Sequence, residues 1–407
     1  MKNIADFRST NINPFGSNIV FVSGVTGQDG SHMIDYLLKN TNAEIVGGAR
    51  RLSVENHTNI KHLENEPRFQ LINFDLTDPH SIYKLMETVR PDYFINFAAQ
   101  SFVASSWDFA RQTWQTNSTA VLDCLEAIKK VKPSCRFYNA GSSEEFGNVS
   151  YSPQDENHPA KPRSPYGASK SAARTIVKVY RESYGLYAVQ GWLFNHEGTR
   201  RGEEFVTRKI TKGVARIKKA LDEGKSFNPI ELGNLNAQRD WSDAEDMVDA
   251  VWRMLNQENY NVELNEKVSL NTDPNGYYTP SSYNQFIRNN IVPLIKDYVV
   301  SSGENHSIHE FVEESFAAAF GGSLKYNQLN VTWSDTLEPI NEKLYLEAED
   351  GLPTNDRILV QVNPKFYRPA EVETLLGDST KIREELGWAP KSSFKDLVKK
   401  MIDNDLK

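Results

Sequence analysis

Cysteine is scarce in this chain of 407 residues, with Cys124 and Cys135 the two it has. Two thiols do not make a disulfide framework, and they fit a reducing compartment such as the cytoplasm. No apolar run approaches the roughly 20 residues of a membrane span, so no membrane partner is expected. Basic residues are not in excess: 46 Lys and Arg stand against 54 Asp and Glu, a net charge of −8. That balance argues against a general nucleic-acid surface, though it permits a local basic pocket. Of the 8 histidines, His196 has no second His or Cys at ligand spacing, so no metal is expected. Internal repeats and low-complexity tracts are lacking. The stretch from Met1 to Ser17 is polar, without the apolar core of a secretion signal, and reads as a short extension. The remainder is ordinary for a globular protein, 39% hydrophobic and 25% charged, and long enough for two domains or one with a lobe.

What is there begins with a strand, a glycine turn and a helix. Ile19-Val20-Phe21-Val22 is a continuous apolar run of the buried parallel kind. It leads into Gly24-Val25-Thr26-Gly27-Gln28-Asp29-Gly30, after which Met33, Ile34, Leu37 and Leu38 recur at helical spacing. This is the setting a dinucleotide fingerprint requires. The glycines permit a tight turn and a close approach to a pyrophosphate, which the helix N-terminus faces with free N–H groups. The spacing is GxxGxxG rather than GxGxxG, and a plain tight turn is the competing reading. The next strand, Ile45 to Ala49, ends in Arg50-Arg51. An acid there would suit a ribose 2′-hydroxyl. Arginines suit a 2′-phosphate, which favours NADP over NAD, with a solvated basic turn as the alternative.

Phe69 to Phe74 reads as a third strand and is followed by Asp75-Leu76. These two could meet an adenine amine and its ring, or equally form a strand-end turn with one core leucine. A helix follows from about Pro79 to Val89. The fourth strand, Tyr93 to Phe97, ends in Ala98-Ala99-Gln100-Ser101, where small residues let backbone approach a cofactor. A helix from Trp114 to Lys130 carries Val121, Leu122, Leu125 and Ile128 on one face. Strand five, Arg136 to Ala140, runs into Gly141-Ser142-Ser143-Glu144-Glu145-Phe146-Gly147, and strand six is Ala188 to Phe194. The alternation predicts an α/β fold, a Rossmann-type doubly wound parallel sheet with its site at the strand C-termini.

Tyr166-Gly167-Ala168-Ser169-Lys170 opens a helix that continues through Ala172, Ala173, Ile176, Val177 and Tyr180. Tyr166 and Lys170 are one turn apart and share a face. A phenol with a pKa near 10 is a poor base at neutral pH, and a neighbouring cation favours its phenolate. At the same spacing on a solvated face the pair has no chemistry. Ser142 and Glu144 follow strand five and add a hydroxyl and a second acid/base group. The segment between, Tyr151 to Pro165, has four prolines and reads as a loop.

The glycine turn, the small fourth-strand end, Ser-x-Glu and Tyr-x-x-x-Lys together resemble the extended short-chain dehydrogenase/reductase superfamily. More narrowly, the chain resembles the GDP-mannose 4,6-dehydratase family. The resemblance is carried by Gly27 to Ser31, Ala98 to Ser101, Arg163 to Gly167, Leu193 to Glu197 and Phe205 to Ile210. Most specific are Leu232-Gly233-Asn234-Leu235, Gln238-Arg239-Asp240-Trp241 and Tyr367-Arg368-Pro369-Ala370-Glu371-Val372-Glu373. It covers roughly 18–258 and 298–405. It implies an NADP-dependent enzyme in which Tyr166 removes the C4 hydroxyl proton while the C4 hydride passes to the cofactor. Lys170 lowers the tyrosine pKa and holds the nicotinamide ribose, and Ser142 orients the C4 oxygen. Glu144 takes the C5 proton and protonates the C6 hydroxyl, which leaves as water before the hydride returns to C6.

The same resemblance assigns Gly24, Thr26, Gly27, Gln28, Asp29 and Gly30 to the cofactor, with Arg50, Arg51, Asp75, Leu76, Ala98 and Gln100. Leu193, His196 and Arg201 join them. It assigns Ser101, Asn195, Val206, Lys209, Arg239, Arg368 and Glu371 to the GDP-sugar, and it implies a homo-oligomer, dimer or tetramer. Two departures stand out. Ser142 replaces the usual Thr, and Glu145-Phe146 replaces the usual Leu-Tyr, putting an extra charge beside the site with its direction open. A 4,6-dehydratase of another GDP-hexose or a GDP-heptose is a close rival. A C4 reductase or epimerase is a further one, against which Glu144 speaks. The expected organisation is an extension at 1–17 and an NADP-binding domain at 18–194, with 240–258 returning to it. A smaller mixed α/β nucleotide-sugar lobe takes 195–239 and 298–407, and 259–297 is an insertion. Residues 326–357 are expected to be a second surface elaboration, and 286–292 a short helix.

Overall fold

The computed structural model describes residues 1–7, 18–53, 56–257, 294–321, 331–334, 342–347, 353–367, 372 and 374–407. The chain divides into two compact units. The first comprises Met1–Phe194, Ala244–Val300 and Gly377–Ala389. Its strands are β1 (Ile19–Ser23), β2 (Glu44–Ala49), β3 (Phe69–Asn73), β4 (Tyr93–Asn96), β5 (Arg136–Ala140), β6 (Ala188–Leu193) and β11 (Val299–Val300). Among the described residues they form one sheet in the order β11-β6-β5-β4-β1-β2-β3, every pairing parallel. The chain leaves β1 toward β3 and then returns to build β4 on the other side. The switch point therefore lies between β1 and β4, where crossovers to opposite faces open a crevice at the strand C-termini.

Both faces of the sheet are apolar, and alternation along each strand divides the side chains between two cores. Val20, Val22, Ile95 and Tyr138 face α1 (Gln28–Asn40) and α7 (Ala244–Leu255), packing with Met33, Ile34, Leu37, Val251 and Met254. Phe21, Phe94 and Phe137 face α2 (Pro79–Val89), α4 (Ala120–Val131) and α5 (Pro165–Tyr184). These three phenylalanines make an edge-to-face row, with centroids 4.8 and 5.4 Å apart, a favoured aromatic geometry. The N-terminal segment is not free of the fold. Lys2 bridges to Ile72 at the sheet edge, and Ile4 and Phe7 are buried in the second core. This covers an edge strand that would otherwise present unpaired backbone.

The helix expected from Trp114 to Lys130 is differently built. A short helix, α3 (Ala110–Trp114), passes through a π turn (Gln115–Thr119) into α4. Tyr298–Val300 and Gly377–Ala389, the latter carrying α9 (Thr380–Leu386), belong to the first unit, whereas the sequence reading put 298–407 in the lobe. The reason is hydrogen bonding: β11 extends the sheet beside β6, and Trp388 buries its ring and donates to the Asp246 carbonyl at 2.9 Å.

The second unit comprises Asn195–Asp243, Ser301–Leu376 and Pro390–Lys407. It holds β7 (Asn195–Glu197), α6 (Val206–Asp222), β8 (Ile230–Leu232), β9 (Gln238–Arg239), β10 (Trp241–Asp243), β12 (His306–Ser307) and α8 (Ile308–Ala319). Further on come β13 (Val331–Trp333), β14 (Lys343–Glu347), β15 (Pro353–Val362), β16 (Thr374–Leu375) and α10 (Phe394–Asp405). Its core joins Ile210, Val214 and Ile217 of α6 to Phe311 and Phe316 of α8 and to Leu397 and Met401 of α10. The 326–357 stretch is more than surface elaboration. Its β14 pairs with β15, which runs on past it to pair with β8, and its Leu344 enters this core fully buried, followed just beyond the stretch by Leu359 and Val360. The expected helix at 286–292 and most of the expected insertion lie outside the described residues.

Candidate active site

Four residues of the candidate site sit on two adjoining elements of the first unit. Ser142 caps the single turn Ser143–Glu145 after β5, its Oγ accepting the Glu144 N–H at 3.2 Å. Ser164 caps α5 through the Gly167 N–H at 3.0 Å, with Pro165 in the first turn. A hydroxyl cap and a proline there are the ordinary start of a helix. Tyr166 and Lys170 then fall one turn apart, with Nζ 5.8 Å from the Tyr166 ring centre. The two elements touch through backbone: a Cβ on Gly167 would stand 2.5 Å from the Glu144 carbonyl oxygen. Ser142, Glu144, Tyr166 and Lys170 are all buried. Lys170 donates to the Ala140 carbonyl at 2.7 Å. Burial lowers its pKa from 10.5 to about 8, against the opposing pull of the Glu145 and Asp29 carboxylates. The ammonium is still the main form at pH 7. Asp29, one of those two carboxylates, belongs to the glycine turn.

That turn has the backbone demands of a dinucleotide site. Gly24 has φ +69°, and a Cβ on it would lie 2.8 Å from the Ala98 nitrogen. A Cβ on Gly30 would lie 2.4 Å from the Gly24 carbonyl oxygen. Gly27 is exposed and caps α1 without a side chain, so nothing of its own fills the space before the first-turn N–H groups. Gln28 is buried and donates to Asp29 at 3.1 Å, while the Thr26 carbonyl accepts from Asn59 at 3.0 Å. Gln100 donates to the Phe102 carbonyl and to Ser105, and its buried Oε1 has no partner among the described residues. An unpaired buried acceptor beside a glycine cradle fits a dinucleotide with hydroxyls to offer. Arg50 and Arg51 are exposed, and Ser101 is exposed as well. Asp75 accepts from the Thr77 N–H and hydroxyl at 2.9 and 2.8 Å, and Leu76 is buried in the second core. Asp75 thus takes part in a strand-end turn, with Leu76 packed in the core beside it.

In the second unit, Asn195 and His196 are half-buried on β7, and Leu193, in the first unit, is buried at the end of β6. Arg201 is held by Glu197 at 3.0 Å and lies 3.5 Å over the Phe205 ring. Val206 opens α6 and is exposed, and Lys209 follows one turn later with Nζ 3.5 Å from the Phe366 ring centre. Burial lowers the Lys209 pKa. A cavity of about 850 Å³ in this unit is lined by Arg208, Lys209, Lys212 and Arg216, with Glu203 and Glu231 opposing them. Of these cations Arg208 is paired with Asp405 and Lys212 with Glu203. Arg239 on β9 is buried and donates to the Gln238 carbonyl at 2.7 Å. Arg368 and Glu371 lie outside the described residues. Among the described residues no group of three or more His, Cys, Asp or Glu could hold a metal, and no helix is long and apolar enough to cross a membrane.

The sequence reading missed Asn117. It sits in the π turn, where its Oδ1 accepts the Gln100 N–H at 2.9 Å and its Nδ2 donates to the Gln100 carbonyl at 2.9 Å. The same Nδ2 reaches the Ser169 hydroxyl at 3.2 Å, and that hydroxyl donates to the Tyr166 carbonyl at 2.7 Å. Asn117 thus ties the β4 end to the tyrosine turn, and π turns often occur at such places. The one trace in sequence is a polar residue just before the apolar stripe of α4. The direction of Glu145, open from sequence, is inward: it is fully buried against Arg174.

The model of a family described as GDP-mannose 4,6 dehydratase matches residues 21–273 and 290–401. The unmatched break, 274–289, is narrower than the expected 259–297 insertion. A GDP-mannose 4,6 dehydratase of Drosophila melanogaster is 37% identical over 396 residues, covering 95% of this chain and 86% of that relative. Among solved structures, a dTDP-glucose 4,6-dehydratase of Bacillus anthracis in complex with NAD has a TM-score of 0.66 at 17% identity, covering 95% of this chain and 96% of that one. RMD from Pseudomonas aeruginosa complexed with NADPH has a TM-score of 0.63 at 20% identity, covering 96% and 99%. At those identities the structures show a shared fold.

Proposed function

This chain belongs to the GDP-mannose 4,6-dehydratase family, and from that premise we propose how its residues carry out the reaction. The chain catalyses the dehydration of GDP-mannose. The product is GDP-4-keto-6-deoxymannose. The reading rests chiefly on one observation: the Ser142–Glu144 turn and the Tyr166–Lys170 turn abut through backbone, with all four side chains buried.

Tyr166 is the base for the C4 hydroxyl proton. Lys170, kept cationic beside Glu145 and Asp29, stabilises the phenolate. Ser142 orients the C4 oxygen. Once C4 is a ketone, the C5–H is acidic. Glu144 takes that proton and delivers a proton to the C6 hydroxyl, which departs as water. The cofactor is NADP, which when bound would supply the hydride acceptor for C4 and the hydride donor for C6. Gly24, Thr26, Gly27, Gln28, Asp29 and Gly30 hold its pyrophosphate, and the exposed pair Arg50-Arg51 suits its 2′-phosphate. Asp75 and Leu76 serve the adenine; Ala98, Gln100, Leu193, His196 and Arg201 complete that site. Ser101, Asn195, Val206, Lys209, Arg239, Arg368 and Glu371 bind the GDP-sugar, with the arginines on its phosphates and ribose. The setting is the cytoplasm, supported by two free, buried cysteines. The assembly is a dimer or tetramer, supported by the exposed rings of Trp107, Phe109 and Trp114.

Incubation with GDP-mannose and NADP tests this. A product lighter by one water, carrying a 4-keto group, is expected without accumulation of NADPH. Net NADPH would mark a dehydrogenase, and conversion of a different GDP-sugar from a panel would reassign the substrate. Light scattering that returned a monomer would remove the oligomer.

A further inference from the structure

Four polar residues interrupt the apolar strands of the first unit at one level. Ser23 on β1 is in register with Asn96 on β4, Asn96 with Asn139 on β5, and Asn139 with Gln190 on β6. All four are buried, where a polar group is costly unless bonded. They are bonded to one another. The Ala98 N–H donates to Ser23 Oγ at 3.1 Å, and Ser23 donates to Asn96 Oδ1 at 2.6 Å. Asn96 Nδ2 donates to Asn139 Oδ1 at 2.8 Å, and Asn139 Nδ2 to Gln190 Oε1 at 2.7 Å. Gln190 Nε2 then donates to Glu145 Oε1 at 3.1 Å and to the Lys170 carbonyl at 3.1 Å. The direction is set at both ends. A backbone N–H only donates and an ionised carboxylate only accepts, so every amide between them has one workable orientation. Bonds aligned in this way polarise one another.

Glu145 does more than end the row. Its Oε1 accepts the Ser142 N–H at 2.9 Å, closing a capping box over the turn that carries Ser142 and Glu144. Its Oε2 meets Arg174 Nε at 2.6 Å, and Arg174 lies one turn beyond Lys170 on α5. Arg174 also donates to the Gln190 carbonyl at 2.8 Å and stacks 3.4 Å over Trp192. Room for this pair is kept at Gly141, where a Cβ would lie 2.8 Å from both Arg174 Nη2 and Glu145 Oε1.

We infer that Glu145 is a positioning residue, the terminal acceptor of a one-way hydrogen-bond row through which the dinucleotide turn, the Ser142–Glu144 turn and the Tyr166–Lys170 helix hold one geometry. It also supplies negative charge to Lys170. The groups facing Lys170 are the carboxylates of Glu145 and Asp29, the Tyr166 ring and the Ala140 carbonyl. Arg174 balances Glu145 from the next turn. The inference rests on the proposed roles of Ser142, Tyr166 and Lys170.

Three variants test it: Glu145→Gln, Arg174→Met and the double variant Glu145→Leu/Arg174→Met, which replaces a buried ion pair by apolar groups and is expected to keep the fold. Two readouts are used: the pH profile of kcat/KM with GDP-mannose and NADP, and urea unfolding of the cofactor-free proteins. Glu145→Gln removes charge that favours the ammonium, so the alkaline limb moves to lower pH by roughly half a unit or more. Arg174→Met leaves that charge uncompensated, so the limb moves to higher pH. In the double variant the limb returns toward the parent's while kcat stays at least about tenfold down, because the Ser142 N–H has lost its acceptor. In unfolding, each single variant loses stability and the double recovers it. Alkaline limbs that coincide in all the proteins, or shift the same way in both single variants, would overturn the inference. So would a double variant with the parent's kcat. If the parent itself turned over no GDP-mannose while the unfolding cycle still showed coupling, the functional reading would have failed and the Glu145–Arg174 pair would stand.

Discussion

Lys170→Met separates the catalytic value of the lysine from its cost to the fold. Burial takes the lysine pKa from 10.5 to about 8. A fall of that size corresponds to roughly 3 kcal/mol against the charged form. Methionine fills similar space without charge, so the variant escapes that penalty at pH 7. It also orphans the Ala140 carbonyl, which now receives the ammonium at 2.7 Å, and an unmet buried acceptor costs about 1–3 kcal/mol. The net expectation at pH 7 is an inactive protein between unchanged and about 2 kcal/mol more stable. The pH dependence is sharper. Below about pH 8 the lysine is protonated in both the folded and unfolded states, and the penalty is complete. Between pH 8 and about 10.4 the unfolded chain holds the proton and the folded protein does not, so the parent gains stability as pH rises. Its turnover falls over the same range as the ammonium is lost. Urea midpoints of the cofactor-free parent and variant, measured from pH 7 to 10, give the difference while other titrations cancel. A stability difference that stays flat with pH would refute the reasoning, as would a variant several kcal/mol weaker at pH 7.

Tyr166→Phe removes the base and is expected to lower turnover by about 10²–10⁴-fold, with no NADPH transient at 340 nm in stopped flow. Glu144→Gln should oxidise C4 yet stall before water leaves; a 6-deoxy product at the parent's rate would remove its role. Gly24→Ala forces a side chain into φ +69° against the Ala98 nitrogen, and NADP affinity measured by fluorescence should fall at least about tenfold.

The parallel sheet was legible because its strands are buried on both faces and so read as apolar runs between helical stripes. The glycine turn was legible because φ +69° at Gly24 and the close approach at Gly30 admit little but glycine. Tyr166 and Lys170 were legible because a helix fixes residues four apart on one face. Asn117 was not: a π turn adds a residue without changing composition, and the contacts of Asn117 with Gln100 and Ser169 lie 17 and 52 positions away. Nor was the 326–357 stretch, whose polar run conceals the core residue Leu344 and leads straight into two more, Leu359 and Val360.

By itself the sequence determined what short-range geometry governs: the strand–turn–helix order, the glycines, the Tyr-x-x-x-Lys face and the hydroxyl and carboxyl after strand five. The tertiary structure decided what depends on register between distant strands. Ser23, Asn96, Asn139 and Gln190 look like stray polar residues until parallel pairing aligns them. Glu145 is an extra charge of open direction beside the site until the structure sets it inward against Arg174. A buried charge takes whichever partner the fold brings within reach, and backbone periodicity carries no record of that partner.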